Sequence, residues 1–185
     1  MVERMLAPSD AIAPRTRQIW NWLAEVPDPE VPAVSVVDLG IVRDVSWDGD
    51  LSQECLVTVT PTYSGCPATE VIAEAIVRKL EAQGIPKIRV QMRLAPPWTT
   101  DWLTPEAHEK LRHYGVAPPV GKAANTEHVV DLSRIRHGGL AAPAVNCPNC
   151  GSKNTERTSA FGSTPCKALY RCNACREPFD YFKCH

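Results

Sequence analysis

The chain has 185 residues, enough for one ordinary domain and a small additional module, and no apolar run reaches the roughly 18 residues that a membrane span needs. Hydrophobic residues make up 44% and charged residues 22%, and the start lacks a basic and then apolar signal peptide, so the sequence predicts a cytoplasmic protein with no membrane partner. The formal net charge of −1 disfavours nucleic acid as a partner.

The first sixty residues predict one helix and three strands. Residues 15–26 place their apolar side chains on one helical face, and the proline-rich segment that follows ends the helix. A short apolar strand is predicted over residues 34–37, and a second strand over residues 41–47. Residues 56–60, rich in β-branched side chains, predict the third strand.

The next fifty residues predict two further helices and a strand between them. Pro67 is expected at the first position of the second helix, and Gly84 is expected just past its end. Residues 87–94 alternate apolar and polar side chains, as a half-buried strand does. Thr104 and Pro105 predict the start of the third helix. The order α-β-β-β-α-β-α favours the α+β class, with a small mixed sheet and helices on one face.

The remaining chain predicts a linker and a small module. Residues 117–146 are rich in Pro, Gly and Ala and have no periodicity, apart from one candidate strand over residues 129–132. The predicted organisation is therefore a domain over residues 1–116, this linker, and a metal-binding module over residues 147–185.

The strongest chemical signal is a pair of C-x-x-C motifs in the tail. Cys147 and Cys150 form the first motif, and Cys172 and Cys175 form the second. Each motif folds into a tight turn that presents two thiolates from one side, so together they predict one tetrahedral site. Structural zinc would stabilise a module too small to fold unaided. Iron, as in rubredoxin, or a cluster stays open, whereas disulfides or redox dithiols fit poorly without a secretory signal.

Cys66 is a second candidate for thiol chemistry. It directly precedes Pro67, where a strand gives way to the predicted second helix. Unpaired N–H groups at a helix start favour a thiolate, which could ligate a metal or attack an electrophile. The alternative is a small side chain that fills a tight turn. Cys55, which alternates with Val57, is predicted to be a core or edge thiol.

Three acidic residues, Asp28, Glu30 and Asp38, surround a proline-rich loop. Their carboxylates could assist transient metal binding, but Asp side chains also stabilise turns by accepting backbone N–H groups. The sequence leaves both roles open.

Cys166, Cys184 and His185 lie in the tail but outside its two C-x-x-C motifs. The two thiols are either without function, alternative ligands, or part of a site that holds iron transiently.

Several motifs resemble those of known families. Residues 28–32 (DPEVP), 36–42 (VVDLGIV) and 65–67 (GCP) resemble the signature of SufT-like iron–sulfur assembly factors. The tail, which reads FGSTPCKALYRC over residues 161–172 and EPFDYFKC over residues 177–184, is similar to the PaaD family, which belongs to the phenylacetyl-CoA ring-1,2-epoxidase system.

This resemblance implies an accessory role in aerobic phenylacetate breakdown. The oxygenase of such a system carries a di-iron centre, its reductase carries an iron–sulfur cluster, and the PaaD protein assists the maturation of these centres. By the family motif, Cys66 would handle iron or a cluster, and Asp28, Glu30 and Asp38 are further candidates. The implied partners are the di-iron oxygenase and the iron–sulfur reductase, while a homodimer stays open.

The sequence offers no nucleotide-binding loop, nucleophile–base pair or Glu-x-x-His motif. We therefore predict a maturation factor that is not itself an enzyme, with structural zinc and transient iron or an iron–sulfur cluster. A structural or adaptor subunit of the oxygenase complex is the alternative. A nucleic-acid-binding ribbon is disfavoured by the near-neutral charge, and a dithiol redox enzyme is a further rival.

Overall fold

The structure, a computed structural model, describes four stretches of the chain: residues 14–48, 54–63, 65–121 and 145–184. These residues separate into two compact units. The first unit comprises the chain up to Thr60 together with residues 67–93, and the second comprises residues 61–66 and the chain from Leu94 onward. Within the described stretches, no helix has the length and apolar character needed to cross a membrane.

The first unit is a three-stranded mixed sheet with two helices. Strands β1 (Val42–Asp48) and β2 (Glu54–Val59) are antiparallel, and β3 (Ile88–Met92) runs parallel to β2. Helix α1 (Pro14–Leu23) packs against β1 and against α2 (Thr69–Ala82), and α2 packs against β3. Because parallel strands need a crossover connection, α2 lies between β2 and β3 in the chain. The predicted α+β class is confirmed.

The core of this unit follows the helical period of the sequence. Ile19 and Leu23 of α1 are fully buried, as are Ile76 and Leu80 of α2. Spacings of four residues place these side chains on one face of each helix. Each buried side chain of this size stabilises the fold by about 2 kcal/mol relative to an exposed one.

Both ends of α2 can be compared with the prediction. Gly84, with φ +79°, donates its N–H to the Glu81 carbonyl, and Ile85 donates to the Leu80 carbonyl. This is the Schellman arrangement that a glycine at this position predicts. The predicted start was wrong by two residues: the helix begins at Thr69, because the carbonyl of Ala68 accepts the first helical hydrogen bond.

The strand predicted over residues 34–37 is also wrong, because the structure has turns there. The Asp38 carboxylate accepts the N–H of Ser35 at 2.8 Å, and the Ser35 hydroxyl accepts the N–H of Asp38 at 3.0 Å. Leu39 then donates its N–H to the Ser35 carbonyl. These local bonds satisfy backbone groups that a strand would direct to a neighbouring strand.

The second unit contains a four-stranded sheet. Its strands lie in the order β4 (Val116–Ala117), β7 (Pro178–Phe182), β6 (Lys167–Cys172) and β5 (Thr155–Ser159). β4 is parallel to β7, whereas the other neighbours are antiparallel. The antiparallel strands β5, β6 and β7 form the ribbon that the two C-x-x-C motifs predict.

Residues that precede the ribbon pack onto it. The Trp98 ring meets Phe182 edge to face, with centroids 6.1 Å apart, and the Thr100 hydroxyl lies 3.2 Å from the sulfur of Cys184. Helix α3 (Pro105–His113) follows and leads into β4.

The start of α3 has the predicted form. The Thr104 hydroxyl accepts the N–H of Ala107 at 3.1 Å, and Pro105 is the first helical residue.

The predicted domain boundary at residue 116 lies inside the second unit, since this unit includes the described residues 94–121 together with the ribbon. Of the predicted linker over residues 117–146, the stretch 122–144 lies outside the described residues, and so does the strand predicted over residues 129–132.

Candidate metal centre

The four cysteines of the two C-x-x-C motifs come together at one end of the ribbon. The sulfur atoms of Cys147, Cys150, Cys172 and Cys175 all lie within 4.8 Å of one another. Cys147 and Cys175 are 3.7 Å apart, and Cys150 and Cys172 are 3.5 Å apart. A tetrahedral zinc ion with Zn–S bonds of about 2.3 Å separates its sulfur ligands by about 3.8 Å. The donor set therefore fits structural zinc in both chemistry and spacing.

The first pair of ligands is held by a closed turn. Cys147 donates its N–H to the carbonyl of Ser152, and Gly151 donates its N–H back to the carbonyl of Cys147, both at 2.9 Å. Gly151 has φ +75°, which glycine adopts without a steric penalty. The turn directs the sulfur atoms of Cys147 and Cys150 to the same side.

The second pair is held in the same way. Cys172 donates its N–H to the carbonyl of Glu177, and Arg176 donates to the carbonyl of Cys172, again at 2.9 Å. The N–H of Cys175 also donates to the Cys172 sulfur at 3.5 Å. This hydrogen bond lowers the pKa of the Cys172 thiol to about 6, so a thiolate ligand forms readily at neutral pH.

A packed aromatic core supports the ligands. Tyr170 stacks on Phe179 with centroids 5.8 Å apart and meets Tyr181 edge to face at 5.4 Å. Cys147 and Cys172 belong to this same buried cluster. The two inner ligands are thus part of the core, which favours a metal site that stabilises the module.

Cys166 and Cys184 lie at the opposite end of the ribbon from this site. Cys166 precedes β6 and Cys172 ends it, so six residues of extended chain, about 20 Å, separate them. Cys184 follows the end of β7 in the same way. Neither thiol can join the four-cysteine set around one ion, and a separate role in holding iron stays a prediction.

Each of these two thiols lies beside a threonine hydroxyl. The Cys166 sulfur is 3.0 Å from the hydroxyl of Thr164, as Cys184 is close to that of Thr100. Cys166 is buried and Cys184 is partly buried. His185 lies outside the described residues.

Cys66 is partly buried and lies in a turn, with its N–H donated to the Tyr63 carbonyl at 3.0 Å. It precedes the first residue of α2 by three positions, and so lies outside the first helical turn, where the favourable field is strongest. The predicted support of the helix start for a Cys66 thiolate is therefore weaker than the sequence suggests.

The turn that carries Cys66 also depends on a glycine. A Cβ atom at Gly65 would lie 3.0 Å from the ring of Tyr63, closer than ordinary van der Waals contact.

The acidic loop residues have backbone partners. Asp28 is buried, and its Oδ1 accepts the N–H groups of Glu30 at 2.9 Å and Val31 at 2.8 Å. Asp38 is bonded to Ser35 as described above, so both aspartates stabilise turns. Among the described residues, the four-cysteine set is the one group of three or more metal-ligating side chains found close together.

Sequence reasoning missed an ion pair inside the tail. Lys167 is only 5% exposed, and its Nζ lies 3.3 Å from the Asp180 carboxylate, which also accepts the Ser163 hydroxyl at 3.0 Å. A Cβ atom at Gly162 would lie 2.7 Å from this carboxylate. A lysine in a polar stretch gives no sequence signal of burial, so the pair could not have been predicted.

Two families of known proteins match separate parts of the chain. The family described as "Iron-sulfur cluster assembly protein" matches residues 16–95, and the family described as "PaaD zinc beta ribbon domain" matches residues 133–183. The second match contains all four clustered cysteines.

Individual relatives extend this comparison. An Escherichia coli (strain K12) protein, which carries the name "Putative 1,2-phenylacetyl-CoA epoxidase" and is designated the D subunit, is 47% identical over 171 residues, which cover 92% of this chain and 94% of that protein. The "Fe-S protein maturation auxiliary factor" of Porphyromonas gingivalis (strain ATCC BAA-308 / W83) is 36% identical over 96 residues, 50% of this chain and 87% of that protein. A crystal structure of a DUF59 domain from Bacillus anthracis is 28% identical and covers 52% of this chain and 90% of that one, with a TM-score of 0.48.

The Escherichia coli relative matches nearly the full length of both chains, and the two family matches divide the chain into an assembly domain and a ribbon. The chain therefore belongs to the PaaD family of 1,2-phenylacetyl-CoA epoxidase subunits, in which an iron–sulfur cluster assembly domain is followed by a zinc ribbon.

Proposed function

We propose that the protein is an accessory factor that assists the assembly or maturation of iron or iron–sulfur centres in the phenylacetyl-CoA epoxidase system of aerobic phenylacetate catabolism. The observation that carries this proposal is the joining, in one chain, of an assembly domain and a ribbon, in a sequence that matches 94% of the Escherichia coli epoxidase subunit. The name of the Porphyromonas gingivalis protein, a maturation auxiliary factor, supports the same direction.

A role without catalytic turnover is part of the proposal. The four-cysteine site fills every corner of a tetrahedron with protein sulfur, and a closed site of this kind leaves no position for a substrate. This supports a structural function for the zinc.

Cys66 is the proposed thiol for iron or cluster handling. It is partly buried and therefore accessible, whereas Cys55 is fully buried in β2 and burial raises the pKa of its thiol to about 11. Thiolate sulfur suits iron and its clusters. The participation of Asp28, Glu30 and Asp38 stays a prediction. The proposed clients are the di-iron oxygenase and the iron–sulfur reductase of the system.

The test of this proposal replaces Cys66 by serine in the full chain. In cells that express the epoxidase, Cys66→Ser is expected to lower the iron content of the purified oxygenase or reductase and the rate of phenylacetyl-CoA epoxidation, while its own fold and zinc content stay normal. Cys55→Ala, which removes a thiol from the core of the first unit, is the control. Wild-type iron content and epoxidation with Cys66→Ser would reduce Cys66 to a turn residue.

A second experiment separates maturation from an adaptor role. The chain is removed from the epoxidase after the metal centres have formed. A maturation factor can be removed without loss of activity, whereas loss of activity on removal would favour a structural or adaptor subunit.

A further inference from the structure

The turn between β5 and β6 exposes an aromatic side chain. Phe161 is 67% exposed, more than any other large hydrophobic residue in the described chain. The Nζ of Lys183 lies 4.6 Å from the centroid of its ring and 3.4 Å from the carbonyl of Ala160. The apolar ring and the cation thus form one small surface at the end of the ribbon away from the zinc site.

The backbone of this turn is held by hydrogen bonds at both ends. Gly162 donates its N–H to the Lys167 carbonyl at 2.8 Å, and Lys167 donates its N–H to the Thr164 carbonyl at 3.1 Å. The N–H of Phe161 itself donates to the hydroxyl of Ser159 at 3.2 Å.

The buried ion pair fixes the turn from below. The Asp180 carboxylate, paired with Lys167, accepts the hydroxyl of Ser163 within the turn, and Gly162 packs against the same carboxylate. The ring of Phe161 is therefore presented by a turn with its conformation already determined. An exposed aromatic anchor on a rigid support loses little conformational entropy when a partner covers it.

The charges of the tail favour an acidic partner at this surface. The described tail has six cationic and three acidic side chains. Of the acids, Asp180 is engaged by Lys167, while Glu156 and Glu177 lie at the metal end of the strands, where Glu156 is opposite Arg171. Lys183 is thus the ionised group that lies next to Phe161.

We propose that Phe161 and Lys183 form the centre of a docking surface for another component of the epoxidase system, one that presents an apolar pocket with carboxylates at its rim. The identity of the partner rests on the proposed function, whereas the surface rests on the geometry of the tail. Aromatic side chains at the centre of an interface supply much of its affinity, and a carboxylate beside Lys183 would set orientation and association rate.

The experiment measures binding of the full-length, zinc-loaded chain to the assembled remaining subunits of the epoxidase from the same organism, by biolayer interferometry. Phe161→Ala is expected to weaken binding by at least about 30-fold, the effect of losing a central anchor. Lys183→Gln is expected to weaken binding several-fold and to reduce its dependence on salt concentration. The matched control is Tyr114→Ala, which removes an aromatic side chain 55% exposed elsewhere in the same unit and is expected to bind normally.

Equal binding of Phe161→Ala and the wild-type chain would overturn the docking surface, and so would a wild-type chain that does not bind the other subunits. A change from dimer to monomer on sedimentation of Phe161→Ala would also overturn it, because the occupant would then be a second copy of this chain. Zinc content and circular dichroism confirm that each variant is folded.

The two proposals can fail separately. Normal binding by Phe161→Ala together with poor iron loading by Cys66→Ser would remove the docking surface and leave the maturation role. Weak binding by Phe161→Ala together with normal client iron in its presence and in that of Cys66→Ser would support the surface and remove the maturation role.

Discussion

Gly151 and Arg176 occupy the same position in the two turns that hold the metal ligands. Each follows the second cysteine of its motif, and each donates its N–H to the carbonyl of the first cysteine at 2.9 Å. Their φ angles are +75° and +70°. Glycine adopts this left-handed conformation freely, whereas a residue with a Cβ atom pays about 1 kcal/mol for it. The second turn therefore holds strain that the first does not.

Exchanging the residue types at these positions should change stability in opposite directions. Gly151→Ala is expected to lower the free energy of unfolding of the zinc-loaded chain by about 1 kcal/mol, and Arg176→Gly to raise it by up to about 1 kcal/mol. A Cβ atom at Gly151 has no neighbour within 4 Å, so the effect there reports backbone conformation alone. Urea unfolding measures both values, and a destabilised Arg176→Gly variant would show that the arginine side chain outweighs the backbone term.

Removing one ligand from each turn should abolish the metal site. Cys150→Ser/Cys175→Ser is expected to lose zinc and to become sensitive to protease in the tail, because a module of this size depends on its metal for stability. Zinc content by mass spectrometry and limited proteolysis are the measurements. Full zinc occupancy in this variant would refute the assignment of the four cysteines.

The two thiols at the other end of the ribbon should be independent of zinc. Cys166→Ser/Cys184→Ser is expected to keep its zinc and its melting temperature, since neither sulfur can reach the four-cysteine site. Anaerobic iron titration then decides their own role. Weaker iron binding and slower client activation would support transient iron handling by Cys166 and Cys184, and unchanged values would leave them without a metal function.

Cys55 and Cys66 should differ strongly in reactivity. Burial raises the pKa of the Cys55 thiol from 9.0 to about 11, so at pH 8 iodoacetamide should modify Cys66 well before Cys55 in the folded chain. The neutral Cys55 thiol contributes stability that is fully present below pH 9 and is lost as the pH rises through about 11. Peptide mapping by mass spectrometry gives the order of modification. Equal rates for the two thiols in the native state would contradict the burial of Cys55.

Trp98 should stabilise the ribbon although it lies outside the segment that binds the metal. Trp98→Ala removes the ring that packs on Phe182 and is expected to cost about 3 kcal/mol in the free energy of unfolding. Trp102, which is only partly buried, is the control, and Trp102→Ala should cost less. A similar loss in both variants would show that the Trp98–Phe182 contact is not specific.

Features that depend on neighbouring residues were predicted well. The cap at Thr104, the glycine that ends α2 and the two cysteine turns all rest on contacts within about five residues, and the structure has each of them. The strand predicted over residues 34–37 shows the limit of this reasoning. Four apolar residues fit a buried strand and a buried turn equally well, and the hydrogen bonds between Ser35 and Asp38 decide for the turn.

Long-range pairing could not be predicted from local patterns. β4 has only two residues and no period that would mark it as a strand, and its partner in β7 is 64 positions further along the chain, where Val116 pairs with Asp180. The burial of Lys167 depends in the same way on an acid thirteen positions away. For Cys66, the family motif identifies the residue, but the precise start of α2 decides how much the helix can favour its thiolate.

The parallel pairing of β4 with β7 also sets an order of folding events. The antiparallel pairs β5–β6 and β6–β7 close short loops, whereas β4–β7 must close one of about 64 residues, which costs about 1.5 kcal/mol more in chain entropy. The ribbon and its metal ligands should therefore assemble first, and β4 and Trp98 should dock afterwards. A chain that has not acquired zinc would leave these apolar residues without a partner and open to chaperones and proteases. Metal supply would in this way control how much of the protein a cell retains.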